Sequence, residues 1–403
     1  MRIALIAPKF PPLCCGVGDY ALGLAQALRA QGHSVIAITR PASGARPPEI
    51  RVIEAPLGGW RDLRGVLHLL NQERVEKVQI EYSGYGWSRW GFAFWLNALV
   101  IALRLRGTPV SLGLHETYIR FVDHPRLAAI SVLQRIHILL LASSVGAVYL
   151  NMPERVRNMR RLLPWHRAEI HYRPNSSTIP VSPVNEHARR QLRLAHGANP
   201  GDCVVATFGM FQRGKNLEAV IESVARAKSS RTLRLWLLGD SAGASLRDID
   251  ALRERIRVLG IDHQVYWSGL LTPAEVSAHL QAADLFLLSQ PDGHLTRSSA
   301  FMAAAAHALP VIAVRNTKNQ ADFTAGENVW LVNHSDPAEF AEALETLERE
   351  PELATLLGTN LGRLYRNKFD WAVAFRLPGE PQASPPGTRV VDSHSGAQPA
   401  RKY

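Results

Sequence analysis

Residues 1 to 39 carry the pattern that most constrains this chain: a buried-strand run, a loop, an amphipathic helix and a second buried-strand run. Arg2-Ile-Ala-Leu-Ile-Ala7 reads as a strand and Pro8 to Gly18 as a loop. Asp19 to Gln31 reads as a helix with Tyr20, Leu24, Ala27 and Leu28 on one face and Asp19 at its N-cap. Gly32 ends that helix, and Ser34-Val-Ile-Ala-Ile-Thr39 follows as the next strand. Two buried strands joined through a helix pair in parallel, so the chain opens as a βαβ unit and its fold class is α/β.

The same pattern recurs down the chain. Further strands are expected at Lys77 to Tyr82, Val110 to His115 and Ala147 to Asn151, with helices from Trp90 and from Pro125 between them. Pro174-Asn-Ser-Ser-Thr-Ile-Pro180, followed by Ser182 and Pro183, has the composition of a connector. A second series starts at Cys203 to Phe208 and continues through Leu233 to Leu238, Val265 to Ser268, Leu285 to Leu288 and Val311 to Val314. A chain of 403 residues outgrows one ordinary core. Two Rossmann-like doubly wound domains facing a cleft are therefore expected, residues 1–180 and 181–372. Residues 373–403 should form a disordered tail, because Pro378 to Tyr403 is rich in Pro, Gly, Ser and charge.

Charge and cysteine content narrow the function classes. The formal net charge is +11, and residues 1 to 180 hold 22 basic against 11 acidic side chains, so the whole excess sits in the first half. Arg155, Arg157, Arg160, Arg161 and Arg167 are its densest cluster, suited either to an acidic surface or to plain solvation. No nucleic-acid-binding motif accompanies the cluster, which speaks against a nucleic-acid partner. Cys14, Cys15 and Cys203 are too few and too scattered for a disulfide framework or a zinc site, so a reducing cytoplasm and no metal are expected. Pro8, Pro11 and Pro12 interrupt the first apolar run before it could form a signal-peptide core. Trp90 to Leu105 contains Asn97 and Arg104 and falls short of the roughly 20 residues of a spanning helix. It reads as a buried or membrane-surface helix.

Three loops carry the chemistry. Gly16 and Gly18 lie between the first strand and its helix, a place that suits either a tight turn or a cradle for phosphate under free helix N–H groups. The dinucleotide fingerprint is absent there, which disfavours a nicotinamide oxidoreductase. Gly209-Met-Phe-Gln-Arg-Gly-Lys215-Asn216 follows the first strand of the second series, where a cation can neutralise a diphosphate leaving group. In Gln290-Pro-Asp292-Gly293-His294-Leu-Thr-Arg297-Ser298-Ser299, one of the two serines caps an Ala-rich helix and Arg297 can hold phosphate in a forked bond.

Taken in order, several motifs resemble the GT-B, family 4 type of retaining glycosyltransferase over roughly residues 1 to 372. They are Gly32-His-Ser-Val35, Lys215 six residues after Gly209, Leu237-Leu-Gly239, Val265-Tyr-Trp-Ser-Gly269-Leu, Ala283-Asp-Leu-Phe-Leu-Leu288 and Ala308-Leu-Pro-Val-Ile-Ala313. The resemblance implies metal-independent transfer of a sugar from a nucleotide-diphosphate sugar to a glycan or lipid-linked acceptor with retention, in bacterial cell-surface polysaccharide or glycoconjugate synthesis. The nucleotide sugar would be a co-substrate, with no other cofactor. Gly16, Gly18, Gly209, Lys215, Gly239, Arg297, Ser298 and Ser299 would bind the donor, mainly on the second domain, and His115, Lys215 and Asp292 would form the catalytic set. The acceptor would lie on the first domain.

The chain also departs from that family. Met210 stands where Arg is usual, and Ala308 where Gly is usual. Counting back from Pro310 without gaps puts Leu295 and Ala303 at the places of two glutamates that contact sugar and ribose. With three extra loop residues, Asp292-Gly293 takes the first of these places. These losses motivate a second reading, a nucleotide-sugar-binding homologue that does not transfer, and a sugar-nucleotide epimerase shares the same architecture. Trp87, Trp90, Phe92, Phe94 and Trp95 in a basic domain suit either helix packing or peripheral contact with an anionic membrane from the cytoplasmic side.

Overall fold

The computed structural model describes residues 1–13, 15–118, 127–211, 213–240, 246–316 and 322–375. Cys14, the side chain of Arg167 and the tail from residue 376 onward lie outside the described residues. The first lobe runs β1 (Arg2–Ile6), α1 (Gly16–Ala30), β2 (Ser34–Thr39), β3 (Arg51–Glu54), α2 (Leu63–Gln72), β4 (Lys77–Tyr82), α3 (Gly84–Trp87), α4 (Phe94–Leu105), β5 (Val110–Leu114), α5 (Ala128–Ser144), β6 (Ala147–Leu150), α6 (Pro153–Leu162) and β7 (Ile170–Tyr172). The second runs α7 (Glu186–Ala195), β8 (Cys203–Phe208), α8 (Leu217–Arg226), β9 (Leu233–Leu238), α9 (Leu246–Val258), β10 (Val265–Trp267), α10 (Pro273–Ala282), β11 (Leu285–Leu288), α11 (Ser299–Ala306), β12 (Val311–Val314), β13 (Trp330–Val332), α12 (Pro337–Arg349), α13 (Pro351–Leu364) and α14 (Trp371–Ala374).

Both sheets are parallel, with orders β3-β2-β1-β4-β5-β6-β7 and β10-β9-β8-β11-β12-β13. Helices cover both faces of such sheets, which is why Ala4, Leu5 and Ile6, or Val204, Val205 and Ala206, are buried without alternation. In each sheet the strand order reverses beside the first strand, between β1 and β4 and between β8 and β11. Ligands of open α/β sheets bind outside the carboxyl ends of the strands at that reversal. The loops after β1, β8 and β11 therefore lie where the sequence concentrated its glycines and cations.

Three strands are missing from the sequence reading: β3, β7 and β13, of three or four residues each, the first two only partly apolar. The first helix also differs. It starts at Gly16 rather than Asp19, so both glycines lie in its first turn and Cys15, not Asp19, holds the N-cap position without a side-chain bond. Of the paired serines, Ser298 is the cap of α11 and accepts from the Phe301 amide at 3.2 Å, whereas Ser299 is the first helical residue.

The second sheet is closed at its carboxyl rim by backbone packed on backbone. Gly209 and Gly239 have φ of 127° and 144°, and a β-carbon on Gly239 would stand 2.1 Å from the Gly209 carbonyl oxygen. Only glycine meets both demands. A comparable approach occurs at the turn after α11, where Ala308 is held at φ 53° and a β-carbon on Gly358 of α13 would lie 2.3 Å from the Ala308 oxygen.

The chain then crosses back to the first lobe. A π-turn over Tyr365–Phe369 leads into α14, whose Trp371 packs against Gly23 of α1 and whose following residue, Phe375, is fully buried with Ile3, Leu5 and Tyr20. The degraded pattern after Trp371 thus still encodes the return crossing. Tyr365 Oη lies 2.9 Å from Ser176 Oγ, and Trp371 Nε1 donates to the Ser177 carbonyl at 2.6 Å, so the outgoing and returning strands of chain are bonded together.

Gly358→Ala should push α13 off the Ala308 turn and destabilise the protein by about 1–3 kcal/mol, as overpacking does. Denaturant unfolding followed by tryptophan fluorescence measures this, and an unchanged midpoint would show that α13 is free to slide.

Candidate functional site

The two carboxyl rims meet at the loop after β11. Thr296 Oγ1 donates to the Asn151 carbonyl at 3.0 Å, the Asn175 amide donates to the Thr296 carbonyl at 2.9 Å, and Asn175 Nδ2 donates to the Arg297 carbonyl at 2.7 Å. These bonds hold the Gln290–Ser298 loop of the second lobe against the end of β6 in the first. Gly293 at φ 57° makes the loop's sharp bend, and a β-carbon there would press the Val314 oxygen at 2.6 Å.

Cations collect on this seam. Lys215 sits in a short 3-10 turn after β8, pinned where Ser289 Oγ donates to its carbonyl at 2.5 Å. Its ammonium makes no ion pair among the described residues, and burial, then the Arg297 guanidinium, push its pKa below the ordinary lysine value against a smaller opposing pull from Asp292. Arg297 pairs with Asp292, and its Nε atom is buried without a partner among the described residues. Asp292 also accepts from Gln290 Nε2 at 3.0 Å and from the His294 amide at 3.2 Å.

A third cation comes from the first lobe. Arg155 in the opening turn of α6 donates to the His115 carbonyl at 2.7 Å, and burial and the nearby Arg297 lower its pKa. The sequence reading treated Arg155 as part of a surface cluster, whereas it faces the seam. A helix N-terminus disfavours a cation, and burial does so as well. Three cations thus share the seam, where Asp292 is the acid felt by both Lys215 and Arg155, while Glu154 acts on His294 of the same loop and Glu116 adds charge from the exposed edge. That surplus is what an anionic ligand relieves.

Two helix ends add to the field. The amides at the start of α1 lack a side-chain cap, and a β-carbon on Gly16 would meet open space. Gly18 is different, since a β-carbon there would lie 3.0 Å from the Lys9 carbonyl oxygen. Asp19 lies in the same turn, where burial raises its carboxyl to about 6. The start of α11 presents Ser298 and Ser299 directly after Arg297. Gly239 supports the Gly209 turn from the neighbouring strand end, and the Lys215 ammonium stands 3.9 Å from where a β-carbon of Gly209 would be.

His115 directly follows β5, and its partner is one that the sequence reading missed. His115 Nε2 lies 2.7 Å from Oε2 of Glu81, a carboxylate on β4 with no solvent exposure. Gln79 Nε2 donates to the other oxygen at 2.8 Å. Glu116, adjacent in sequence, instead accepts from Ser83 Oγ. Room for Glu81 comes from Gly113 on the neighbouring strand, where a β-carbon would fall 2.2 Å from Oε2. The His115 ring also packs edge-on against Tyr20, 4.5 Å between centroids. A carboxylate in a strand expected to be buried was the available signal, because a buried charge needs a partner.

The two expected glutamate positions are core positions here. Leu295 and Ala303 are buried in the second lobe's apolar cluster, so neither reaches the seam. Met210 is half-buried, and nothing in the structure explains its replacement of the usual arginine. Among the described residues no group of three or more His, Cys, Asp or Glu side chains is placed to hold a metal ion.

Comparison with known proteins follows the two lobes. Residues 15–176 match the family model described as "Glycosyl transferase 4-like domain", and residues 202–350 that described as "Glycosyl transferases group 1". D-inositol 3-phosphate glycosyltransferase of Corynebacterium efficiens is 26% identical over 92% of each chain. Alpha-monoglucosyldiacylglycerol synthase of Streptococcus pneumoniae is 23% identical over 78% of this chain and 71% of its own. The fold is shared with HepE of Anabaena in complex with UDP and glucose, at a TM-score of 0.70 and 15% identity over 93% of this chain and 97% of that one. It is also shared with sucrose-phosphate synthase of Thermosynechococcus elongatus, at 0.71 and 19% over 92% and 95%.

A double-mutant cycle tests the packing of the dyad. Gly113→Ala should destabilise by about 1–3 kcal/mol, while Glu81→Ala/Gly113→Ala should lose less than the two single changes summed. Additive urea-unfolding energies would mean that Gly113 does not make room for Glu81.

Proposed function

The chain belongs to the GT-B glycosyltransferases of family 4 type, and from that premise we propose that it moves a sugar from a nucleotide-diphosphate sugar to a glycan or lipid-linked acceptor, with retention and without a metal. The observation that carries this reading is the surplus of Lys215, Arg297 and Arg155 over Asp292 in a desolvated seam. A pyrophosphate is the ligand whose charge matches that surplus, and the uncapped start of α1 offers further N–H donors.

In this reading the donor diphosphate draws Arg297 away from Asp292. Both side chains are about one-third exposed, so their pairing contributes roughly 0.2–1 kcal/mol, less than a charge-assisted bond to phosphate at roughly 1.5–3. Asp292 is then free to accept from a sugar hydroxyl. As the bond from the anomeric carbon to phosphate breaks, negative charge grows on the leaving oxygen, and Lys215 with the helix ends stabilises it. The acceptor hydroxyl attacks from the same face and passes its proton to the departing phosphate. His115, held by Glu81, contacts the donor sugar or the incoming hydroxyl from the first lobe. Its fixed ring orientation removes a rotamer cost from the productive complex.

The acceptor side of the proposal includes peripheral contact with the anionic inner face of a membrane. Among the described residues no helix is long and apolar enough to cross one. Trp87 and Trp95 pack inside the lobe and do not serve this purpose, whereas Trp90 is exposed with the Arg89 guanidinium 4.9 Å above its ring. The outer faces of α4 and α5 present Ile101, Leu105, Val132, Leu133, Ile136 and Leu140 to solvent. Apolar side chains beside arginine suit an interfacial helix pair.

Lys215→Ala should lower turnover about a hundredfold to a thousandfold in a donor panel that includes UDP-glucose, and a loss within a factor of about three would remove Lys215 from the leaving-group site. Because burial lowers the Lys215 pKa, the cation that grips the diphosphate is lost, as pH rises, earlier than an ordinary lysine near 10.4. Calorimetric affinity for UDP should decline through that lowered pKa in the parent and stay flat in Lys215→Ala. Cosedimentation with phosphatidylglycerol vesicles should weaken at high salt and with Leu105→Glu/Ile136→Glu. Full retention of binding by that variant counts against the α4–α5 face.

A further inference from the structure

We propose that the first lobe carries a second anion site, a groove between α2 and α4 that takes a phosphate ester. The groove encloses about 580 Å3, within the roughly 300–1,000 Å3 typical of small-molecule sites. Arg64, His68, Asn71, Arg74 and Arg106 line its walls, over a floor of Leu67, Leu70 and Leu103, and no carboxylate lines it. Arg74 precedes β4 and Arg106 precedes β5, so the groove opens at the amino ends of the strands. The nucleotide seam lies at the carboxyl ends, and the two sites are separate.

A solvated arginine surface is the competing explanation, and the groove's volume over a leucine floor argues against it. Some exposed arginines of this chain find acids: Arg51 reaches Glu73 at 2.6 Å, Arg255 reaches Glu222 at 2.7 Å and Arg257 reaches Glu254 at 2.6 Å. Arg64, Arg74 and Arg106 have no such partner among the described residues. Glu73, the neighbour of Arg74, faces away from the groove toward Arg2 and Arg51. The carboxyl ends of α2 and α4 also point here, each worth roughly half a negative charge, which leaves the three guanidiniums with a surplus of about two.

Arg74 is further held at φ 48°, a left-handed conformation that glycine or asparagine takes more easily. Its guanidinium nonetheless completes the wall. Guanidinium forks bind phosphate oxygens in pairs, and the leucine floor accepts the apolar part of an ester. The ligand is therefore a small organophosphate, either a free phosphate compound or the head of a lipid.

Isothermal titration of the full chain with inorganic phosphate and with monomeric dihexanoyl phosphatidic acid tests this. Arg64→Glu/Arg106→Glu is the groove variant, and Arg226→Glu/Arg257→Glu is the control of equal charge change on the other lobe. Thermal midpoints and donor turnover verify that both remain folded. Binding should fall about tenfold for each guanidinium lost from the groove and stay within about twofold in the control. Phosphatidic acid binding at least tenfold tighter than inorganic phosphate identifies a lipid headgroup, and equal affinity identifies a free phosphate compound. Absence of heat with both probes at millimolar concentration overturns the proposal, as does equal weakening in the control. The donor site is not involved in either outcome, because UDP binding reads it separately.

Discussion

Two passages of chain between the lobes, one outgoing and one returning, are tied together by Tyr365 on Ser176 and Trp371 on Ser177. Everything in the cleft depends on that knot. The Ser176 and Ser177 side chains are buried, so the bonds form in a low dielectric where leaving them unmade is costly. Trp371 then sits on Gly23, which has no side chain to resist it, and Phe375 completes the core beneath α1. The lobes thus share a bonded crossing, while Thr296, Asn175 and Asn151 connect the rims themselves.

Within that frame the seam is electrostatically incomplete. Arg173 is buried at the connector with its guanidinium 3.3 Å from the Tyr149 ring centroid, and its charge acts on the buried Tyr20, which packs on His115. One set of aromatic and charged groups therefore runs from the crossing to the end of β5. Lys215, Arg155 and Arg297 approach from the other side, so the cations of both lobes converge only in the folded arrangement. Desolvation makes that convergence expensive without a ligand and strong with one.

The architecture was largely legible because parallel strands buried on both faces leave unbroken apolar runs, as in Cys203 to Phe208 and Leu233 to Leu238. β7 and β13 left no such trace, being only three residues long, and His171 and Tyr172 make β7 partly polar besides. The start of α1 was obscured by Gly16 and Gly18, whose usual association with loops hid a helical turn. Among the site residues, Lys215, Asp292 and Arg297 were marked by their places after strands, and the structure brings them together. Arg155 was visible as charge but not as position, since helix α6 could be placed only by folding the lobe. Glu81 lay hidden because a single acid in an apolar strand looks like a flaw until the histidine opposite it is known.

Glu81 and Gly113 are thirty-two positions apart in sequence and occupy one volume in space. A bulkier residue at Gly113 on β5 would press the Glu81 carboxylate, and a shorter one at Glu81 on β4 would release His115 from its partner. The vacancy left by a missing methyl group thus sets the orientation of a ring just beyond the end of β5, and the two positions act as one.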